Sequence, residues 1–359
     1  MSSQPRASGY FRTSYGQDID LTQTKFQRVS AVVFVIVLLA FPLVASNFYL
    51  DLVSQVFLAC VGALSLMLLT GYAGLISLGH AGLLCAGAFT AGILYKELNT
   101  PIYLTLPAAA VVGALLGVIF GLPSLRLRGL YLAVSTLALH FVVVYIGGEY
   151  ETKRGFSTGI TMDAPVIFGF QLYGGRVWYY ILLAAAALTL LICVNLMRSR
   201  TGRAWRAIKA HETVAEALGI NVAAYKLLAF VISSAIAAVA GALFAYYRSF
   251  VSVEAFSLFL TIQYVAMVII GGMGSLLGAL LGAFFVTIFP YVIEAGLLSL
   301  PGAQAYAGVL FAVNYAAFGF VMILFLVFEP LGLVGIWHRI QTYFLLWPFK
   351  HRPMAGARK

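Results

Sequence analysis

The chain has 359 residues, of which 62% are apolar and only 9% are charged. A soluble domain carries about 25% charged residues because charge solvates its surface, so this chain cannot cover itself with polar groups. A mean hydropathy of +0.98, spread over nearly the whole length, predicts an all-α, polytopic transmembrane helix bundle lying in membrane lipid. The net charge of +10 is divided among tails and short loops, which is typical of membrane topology and argues against nucleic-acid binding.

Ten apolar runs approach the roughly 20 residues that a membrane-spanning helix needs. The predicted spans cover residues 29–46, 52–70, 75–95, 101–122, 129–147, 178–197, 226–247, 257–273, 276–298 and 306–329. Residues 1–28 are polar and predict a flexible tail before a retained first helix, with a cleaved signal peptide as the minor alternative. The three cysteines, Cys60, Cys85 and Cys193, fall inside apolar runs and are expected to be small core residues.

The weakest boundary in this series is the glycine-rich stretch Thr70–Gly74, between the second and third spans. It is so short that a broken or re-entrant segment is the alternative to two complete helices. Non-helical backbone is tolerated at membrane depth only where it is buried in protein or lines a wet cavity. The sequence leaves both arrangements open.

Basic residues predict the orientation of the bundle. Seventeen of the 22 Lys and Arg residues fall on one side of the ten-span arrangement, and the positive-inside rule places that side in the cytoplasm. Both termini and the loop 198–225 are therefore expected to be cytoplasmic, and the loop 148–177 external. Residues 336–359 mix aromatic and basic side chains, which predicts a segment at the cytoplasmic membrane interface.

Two loops are long enough to carry structure. In the external loop, the strand-like stretch 164–173 predicts a small hairpin or cap. The cytoplasmic loop has helical spacing and presents Trp205, Ile208 and Leu218 as an apolar side suited to a groove on a soluble partner. A solvated loop that only determines topology is the alternative.

Motifs for catalysis are missing. The chain has no G-x-x-x-x-G-K-[ST] phosphate loop, so ATP hydrolysis must come from another chain, and His211-Glu212 lacks the second histidine of a zinc protease. We therefore predict no catalytic residue, no metal site and no cofactor in this chain.

Buried polar side chains are functional candidates because they are costly in hydrocarbon. His80 and His140 lie well inside predicted spans, with Ser77, Ser135 and Thr136 as nearby hydroxyls, and these five are the candidates for a translocation path. The alternative for both histidines is a neutral imidazole bonded within a packed interior. An ion-coupled carrier would usually need buried carboxylates, so the energy source is expected outside the chain.

Glycines recur at helical spacing in several spans, which indicates close helix packing where lipid supplies no hydrophobic drive. The predicted packing positions are Gly71, Gly74, Gly79, Gly82, Gly274, Gly278 and Gly282, with a further stripe at Gly113, Gly117 and Gly121.

Four blocks resemble the LivM-type permeases of branched-chain amino acid ABC importers. They are Leu69–Gly82 (LTGYAGLISLGHAG), Leu125–Leu137 (LRLRGLYLAVSTL), Gly202–Asn221 and Val268–Ala279 (VIIGGMGSLLGA). The resemblance extends from about residue 30 to about residue 335. It implies an ABC importer permease domain over 29–335, with 148–177 periplasmic and 198–225 as a cytoplasmic coupling segment.

The resemblance also implies partners. Such permeases work with a second related permease, two cytoplasmic ABC ATPases that bind ATP and Mg, and a periplasmic substrate-binding protein in the bacterial inner membrane. It assigns 203–221 to ATPase coupling, with Arg203, Arg206, Glu212, Glu216 and Gly219 as contacts. The segment departs here from the strict E-A-A-x-x-x-G pattern of importers.

Function follows from the same resemblance. It implies uptake of branched-chain or other hydrophobic amino acids by alternating access, in which the helices carrying the glycine blocks 71–82 and 271–282 reorient. Related permeases serve urea, amides or aromatic acids, and these remain alternatives. The alternative of another class is an ion-coupled secondary transporter.

Overall fold

A computed structural model describes residues 25–125, 127, 129–155, 159–167, 170–298, 310–329 and 331–346. Within them, the chain forms thirteen α-helices and four two-residue strands. The first helices are α1 (Lys25–Val44), α2 (Asn47–Leu66), α3 (His80–Leu98), α4 (Ile102–Ser124) and α5 (Leu130–Arg154). They are followed by β1 (Ile160–Thr161), β2 (Val166–Ile167), β3 (Phe170–Gln171), α6 (Gly175–Arg198), α7 (Arg200–Ala210) and α8 (Glu212–Ala217). The last elements are α9 (Val222–Arg248), β4 (Phe250–Val251), α10 (Leu258–Gly271), α11 (Leu276–Leu298), α12 (Leu310–Phe328) and α13 (Gly332–Leu346).

The all-α membrane fold predicted from composition is confirmed. Seven helices in the described ranges are long and apolar enough to cross a membrane. Three shorter apolar stretches accompany them: Val32–Val44 of α1, Leu258–Gly271, which is α10, and Tyr315–Phe325 of α12. Together they correspond to the ten predicted spans. Large apolar side chains such as Val111, Leu115 and Ile119 are exposed along α4, which is favourable only against lipid or another apolar surface.

The core of the bundle lies around α2, the most buried of the candidate spans. Helices α6, α9, α10 and α11 pack around it, and α9 also packs along α3 and α4. All three cysteines are free and buried, as predicted.

Glycines bring the helices of this core into backbone contact. A Cβ on Gly117 of α4 would lie 2.9 Å from Val231 Cα of α9. One on Gly241 of α9 would collide with the carbonyl oxygen of Leu84 in α3, and Gly87 of α3 meets the Ala238 carbonyl in the same way. Small residues are typical of such crossings, because in lipid close van der Waals contact is a main source of helix association.

The two ends of the bundle differ. At the strand end, β1 pairs with β4, and β2 with β3 forms the hairpin predicted in the external loop. The α7–α8 end carries the two helices that connect α6 to α9. The segment 198–225 is thus helical as predicted, but it is broken at His211, whose backbone is extended. The assignment of these ends to the two sides of a membrane stays a prediction.

Two predicted boundaries differ from the structure. Helix α1 begins at Lys25, so residues 25–28 belong to the first helix and not to the tail. Helix α13 runs through the predicted boundary at 335, because the apolar residues after Gly332 continue the helical pattern. Its interfacial position stays a prediction. The remaining parts of both predicted tails, residues 1–24 and 347–359, lie outside the described residues, as do Arg126 and Arg128.

We expect Gly241→Ala to destabilise the bundle, because the added methyl group collides with the Leu84 carbonyl and forces α3 and α9 apart. Overpacking of this kind costs about 1–3 kcal/mol. The thermal-unfolding midpoint of the purified protein in detergent measures the effect. The control is Gly319→Ala in α12, where nothing lies within 4 Å of the new methyl group and the better helix propensity of Ala adds up to about 1 kcal/mol. Equal midpoints for the two variants would contradict the prediction.

Candidate functional site

The chain is interrupted between α2 and α3. Helix α2 widens into a π-helix over Met67–Tyr72 and then continues as non-helical backbone to His80. Ala73 N–H donates to the Leu68 carbonyl, and Leu75 N–H donates to the Leu69 carbonyl, both at 3.1 Å. These bonds span five and six residues, where an α-helix spans four. We call residues 67–79 the break.

Most of the break is buried inside the protein, and its non-helical backbone is the broken-segment alternative left open by the sequence. Ala73, Leu75 and Ser77 are each less than 7% exposed, whereas Gly74, with a φ of +74°, and Ile76 are exposed. The prediction that the third span begins at residue 75 is wrong, since α3 begins at His80. Hydropathy cannot distinguish a buried extended stretch from a buried helix.

Hydroxyl groups from other helices bond the backbone of the break. Leu78 N–H donates to Thr136 Oγ1 at 2.9 Å, and Thr136 donates in turn to the Ala133 carbonyl at 2.9 Å. At the start of α3, Ala81 N–H donates to Thr261 Oγ1 at 3.0 Å. These bonds matter because each buried backbone group without a partner costs about 1–3 kcal/mol.

His80 lies fully buried in the first turn of α3. Its Nε2 is 3.0 Å from the Gly62 carbonyl and 3.2 Å from Ser65 Oγ, and its ring meets the Tyr264 ring edge-on with centroids 5.1 Å apart. Because a carbonyl only accepts, we assign the ring proton to Nε2. Nδ1 is then a buried acceptor without a partner in the part of the chain that the structure describes.

The five path candidates separate into two groups. Ser77, His80 and Thr136 meet at the break. His140 is also buried, one turn farther along α5, where its Cα lies 2.7 Å from the position of a Cβ on Gly82. Ser135 is half-buried on the same helix.

A cavity of about 440 Å³ lies between α2, α9, α10 and α11. It is at the strand end, since Arg248 at the end of α9 and Phe256 after β4 both line it. Its apolar lining includes Leu58, Leu84, Phe244, Leu260, Met267 and Val286, and its polar lining includes Gln55, Tyr247, Gln263, Thr287, Tyr291 and Glu294. A mostly apolar cavity with a few polar groups is typical of small-molecule sites. Among the residues that the structure describes, the lining includes none of the five path candidates.

Tyr264 joins the cavity to the break. It lines the cavity, while its ring contacts His80 on the other side. The ring occupies the space that the missing side chain of Gly62 leaves on α2, because a Cβ there would lie 2.7 Å from Tyr264 Cζ. Tyr264 therefore separates the cavity from His80.

A hydrogen-bonded chain supports one wall of the cavity. Gln55 donates to the Asp51 carboxylate at 2.7 Å and accepts from the Tyr291 hydroxyl at 3.2 Å, while Tyr247 also donates to Asp51. The chain ties α2, α9 and α11 together. Sequence reasoning missed Gln55 and Gln263, although they are the only glutamines inside the predicted spans.

The prediction that Trp205, Ile208 and Leu218 form one apolar docking face is wrong for two of these three residues. Trp205 is fully buried, with Nε1 donating to the Tyr225 carbonyl at 2.8 Å, and Ile208 is 5% exposed. The protein itself covers the apolar side of α7, and periodicity does not indicate which surface covers a helix face. The outward apolar side chains are Val214 and Leu218, which are 54% and 75% exposed.

The predicted coupling residues occupy different environments. Arg206 donates to the Met197 carbonyl at 2.9 Å and Arg203 to the Arg198 carbonyl at 3.2 Å, and both arginines are exposed. Glu212 forms an ion pair of 2.7 Å with Lys226. Glu216 is exposed, and Gly219 follows α8 with a φ of +83°. In the described ranges, His, Cys, Asp and Glu form no group of three that would hold a metal ion.

Comparison with known proteins adds to this geometry. The family model described as the permease component of branched-chain amino acid transport systems matches residues 48–329. The chain is 30% identical over 288 residues to the high-affinity branched-chain amino acid transport system permease proteins LivM of Salmonella typhimurium and Escherichia coli, covering 73% of this chain and 67% of each relative. It is also 30% identical over 190 residues to the autoinducer 2 import system permease protein LsrC of an Enterobacter species, covering 50% of this chain and 52% of that relative. No solved structure matches significantly.

We expect His80→Ala to lower the free energy of unfolding by about 2–4 kcal/mol, because it leaves a void beside Tyr264 and removes the donor to Gly62. The thermal-unfolding midpoint measures this. The matched control is His211→Ala, which removes an exposed histidine and should leave the midpoint unchanged. An unchanged midpoint for His80→Ala would show that this residue does not stabilise the packing around Tyr264.

Proposed function

The chain belongs to the family of branched-chain amino acid transport system permease components, and we propose that it is the membrane-spanning subunit of an ATP-driven importer for branched-chain or related amino acids. The observation that carries the proposal is the family match over residues 48–329, which includes the break, the cavity and helices α7 and α8. The chain is a multi-pass membrane protein. Its lack of a phosphate loop fits a subunit that depends on other chains for ATP hydrolysis.

The proposed complex contains a second related permease, two cytoplasmic ABC ATPases that bind ATP and Mg, and a periplasmic substrate-binding protein. The LivM and LsrC relatives are named as permeases of transport or import systems, which supports partners of this kind. We place the complex in the bacterial inner membrane with the α7–α8 end in the cytoplasm. The charge distribution of the sequence supports this orientation.

The cavity suits the solute that we propose. Its apolar lining would receive the aliphatic side chain of a branched-chain amino acid, while Gln55, Gln263 and Tyr291 offer hydrogen bonds to the ammonium and carboxylate groups. Arg248 and Glu294 add one charge of each sign to the lining. A zwitterion with an apolar side chain matches this combination better than a charged solute does.

The proposed transport path runs from the strand end to the α7–α8 end. Solute delivered at the strand end enters the cavity, and Tyr264 and His80 block its passage toward the α7–α8 end. ATP-driven movement of the ATPases against α7 and α8 would rearrange the break and open this passage. This is alternating access, with the chain itself having no catalytic activity.

Co-purification tests the complex. The tagged chain is isolated from mildly solubilised native membranes, and the proteins that accompany it are identified by mass spectrometry. We expect a second permease and ABC ATPases. Recovery of the chain alone, under conditions that preserve a known ABC importer, would overturn the proposal and favour a self-sufficient carrier.

We expect Leu218→Asp to reduce recovery of the ATPases by about tenfold or more, because it places a charge in the exposed apolar patch of Val214 and Leu218 that we assign to the ATPase contact. Quantitative mass spectrometry of the co-purified ATPases measures the loss. The control is Ala223→Asp, an exposed position in the first turn of α9. Full ATPase recovery with Leu218→Asp would refute this docking patch.

Gln263→Ala should raise the solute concentration for half-maximal uptake by about 2- to 10-fold, the usual effect of losing one hydrogen bond. ATPase recovery should not change, because Gln263 lines the cavity at the strand end, whereas α7 and α8 lie at the other end of the bundle. Uptake of radiolabelled leucine by cells carrying the complete importer gives the value. Asn195→Ala, which removes an exposed amide from α6, is the matched control, and equal values for both variants would count against the cavity as the solute site.

A further inference from the structure

One side chain connects α7 to the break. Lys209, in the last turn of α7, extends its amine to the carbonyl of Gly71, with Nζ 2.6 Å from the oxygen. The other contacts of α7 described above run to α6 and α9 through Arg206 and Trp205. Lys209 therefore links α7 directly to the backbone that separates α2 from α3, where α7 also packs against the π-helical turn.

The Gly71 carbonyl needs this donor. In a regular α-helix it would accept from Leu75 N–H, four residues later. Here Leu75 N–H donates to Leu69 instead, so the widened turn leaves the Gly71 oxygen without its helical partner. Gly71 is buried, and a buried carbonyl without a donor is costly. The ammonium of Lys209 supplies a charge-assisted bond, which is stronger than a neutral one.

The lysine also meets a second irregular segment. Its Cγ lies 3.2 Å from the point where a side chain on Gly74 would place its Cβ. Its Nζ lies 3.6 Å from the corresponding point on Gly274, in the turn between α10 and α11. Gly274 N–H donates to Met67 Sδ at 3.3 Å. Three segments, α7, the break and the α10–α11 turn, thus meet around one ammonium group.

We propose that Lys209 couples movement of α7 to the break, and so to Tyr264, whose ring closes the cavity on the side of His80 and forms what we call the cavity floor. It is a positioning residue, since it acts through the Gly71 carbonyl and does not touch the solute. From Gly71, the π-helical turn runs back to Met67 and joins α2, whose residues Ser65 and Gly62 contact His80. Displacement of α7 therefore pulls on the segment that supports the cavity floor. The inference rests on the proposed function, because it assumes that ATPases act on α7.

Loss of Lys209 has different expected effects if its role is purely structural and if its role is coupling. Loss of a structural contact lowers stability, but each ATP hydrolysed by the intact complex still moves the same amount of solute. Loss of a coupling contact leaves hydrolysis in place and lowers the solute moved per ATP. The ratio of uptake to hydrolysis therefore separates the two roles.

The experiment uses the complete importer, purified with its partners and reconstituted in liposomes with its binding protein and leucine. Lys209→Met keeps the aliphatic stem against Gly74 and removes only the donor. We expect ATP hydrolysis within about twofold of the unchanged protein, and about tenfold less leucine moved per ATP, the scale for loss of a charge-assisted hydrogen bond. Lys209→Arg, which keeps a cationic donor, should retain most of the ratio. The control Lys96→Met removes a charge from the exposed last turn of α3, away from α7 and α8, and should behave as the unchanged protein.

Chemical rescue keeps the test independent of assembly. The importer carrying Lys209→Cys is assembled first and then treated with 2-aminoethyl methanethiosulfonate, which restores an ammonium group, or with methyl methanethiosulfonate, which does not. Cys60, Cys85 and Cys193 are buried in this chain, and the unchanged importer is treated in parallel to account for partner thiols. We expect the ammonium reagent alone to restore the ratio.

Two results would overturn the inference: an unchanged ratio with Lys209→Met, or equal ratios after the two thiol reagents. Neither result affects the proposed function as long as the unchanged importer assembles and transports leucine. If the unchanged chain binds no ATPase, the proposed function fails, and the inference fails with it.

Discussion

A non-helical stretch buried inside an apolar bundle imposes the strictest condition on this molecule, because each of its backbone polar groups needs a partner. In and beside the break between α2 and α3, groups from three other helices supply some of these partners. Thr136 of α5 and Thr261 of α10 accept from Leu78 and Ala81, and Lys209 of α7 donates to Gly71. The positions of α5, α7 and α10 relative to α2 are thus constrained by the hydrogen bonds of one short segment.

The same condition explains why the polar groups of the site lie where they do. Because α3 begins only at residue 80, His80 falls in its first turn and reaches the Gly62 carbonyl of α2. Gly62 has no side chain, so the Tyr264 ring fits against it and closes the cavity on the side of His80. The cavity, Tyr264, His80 and the break therefore form one continuous arrangement, in which a shift at the break changes the support of the cavity floor.

Local sequence patterns predicted much of the fold and less of the site. The ten apolar runs and the weak boundary at Thr70–Gly74 are properties of adjacent residues, so composition reveals them. The start of α3 at His80 and the inward side of Trp205 depend on which distant elements cover a segment, and periodicity contains no such information. Gln55 and Gln263 carried a signal as amides in apolar runs, yet only the packing of four helices makes them neighbours at one cavity.

The kinds of contact in the bundle indicate which parts can move. Where α9 crosses α3, the Cβ positions of Gly87 and Gly241 collide with backbone carbonyls, so these helices touch along rigid main chain and any shift loses close packing. At Gly71 in the break, by contrast, the contact is a hydrogen bond from the flexible side chain of Lys209, and such a bond can exchange partners without opening a void. Gly79 at the other end of the break again meets main chain, because a Cβ there would collide with the Thr136 carbonyl. Gly74 and Gly274 both have positive φ values, which places two glycine turns beside Lys209. Movement driven from α7 would therefore be absorbed by residues 71–74 of the break and the α10–α11 turn, while α3 and α9 move as one body.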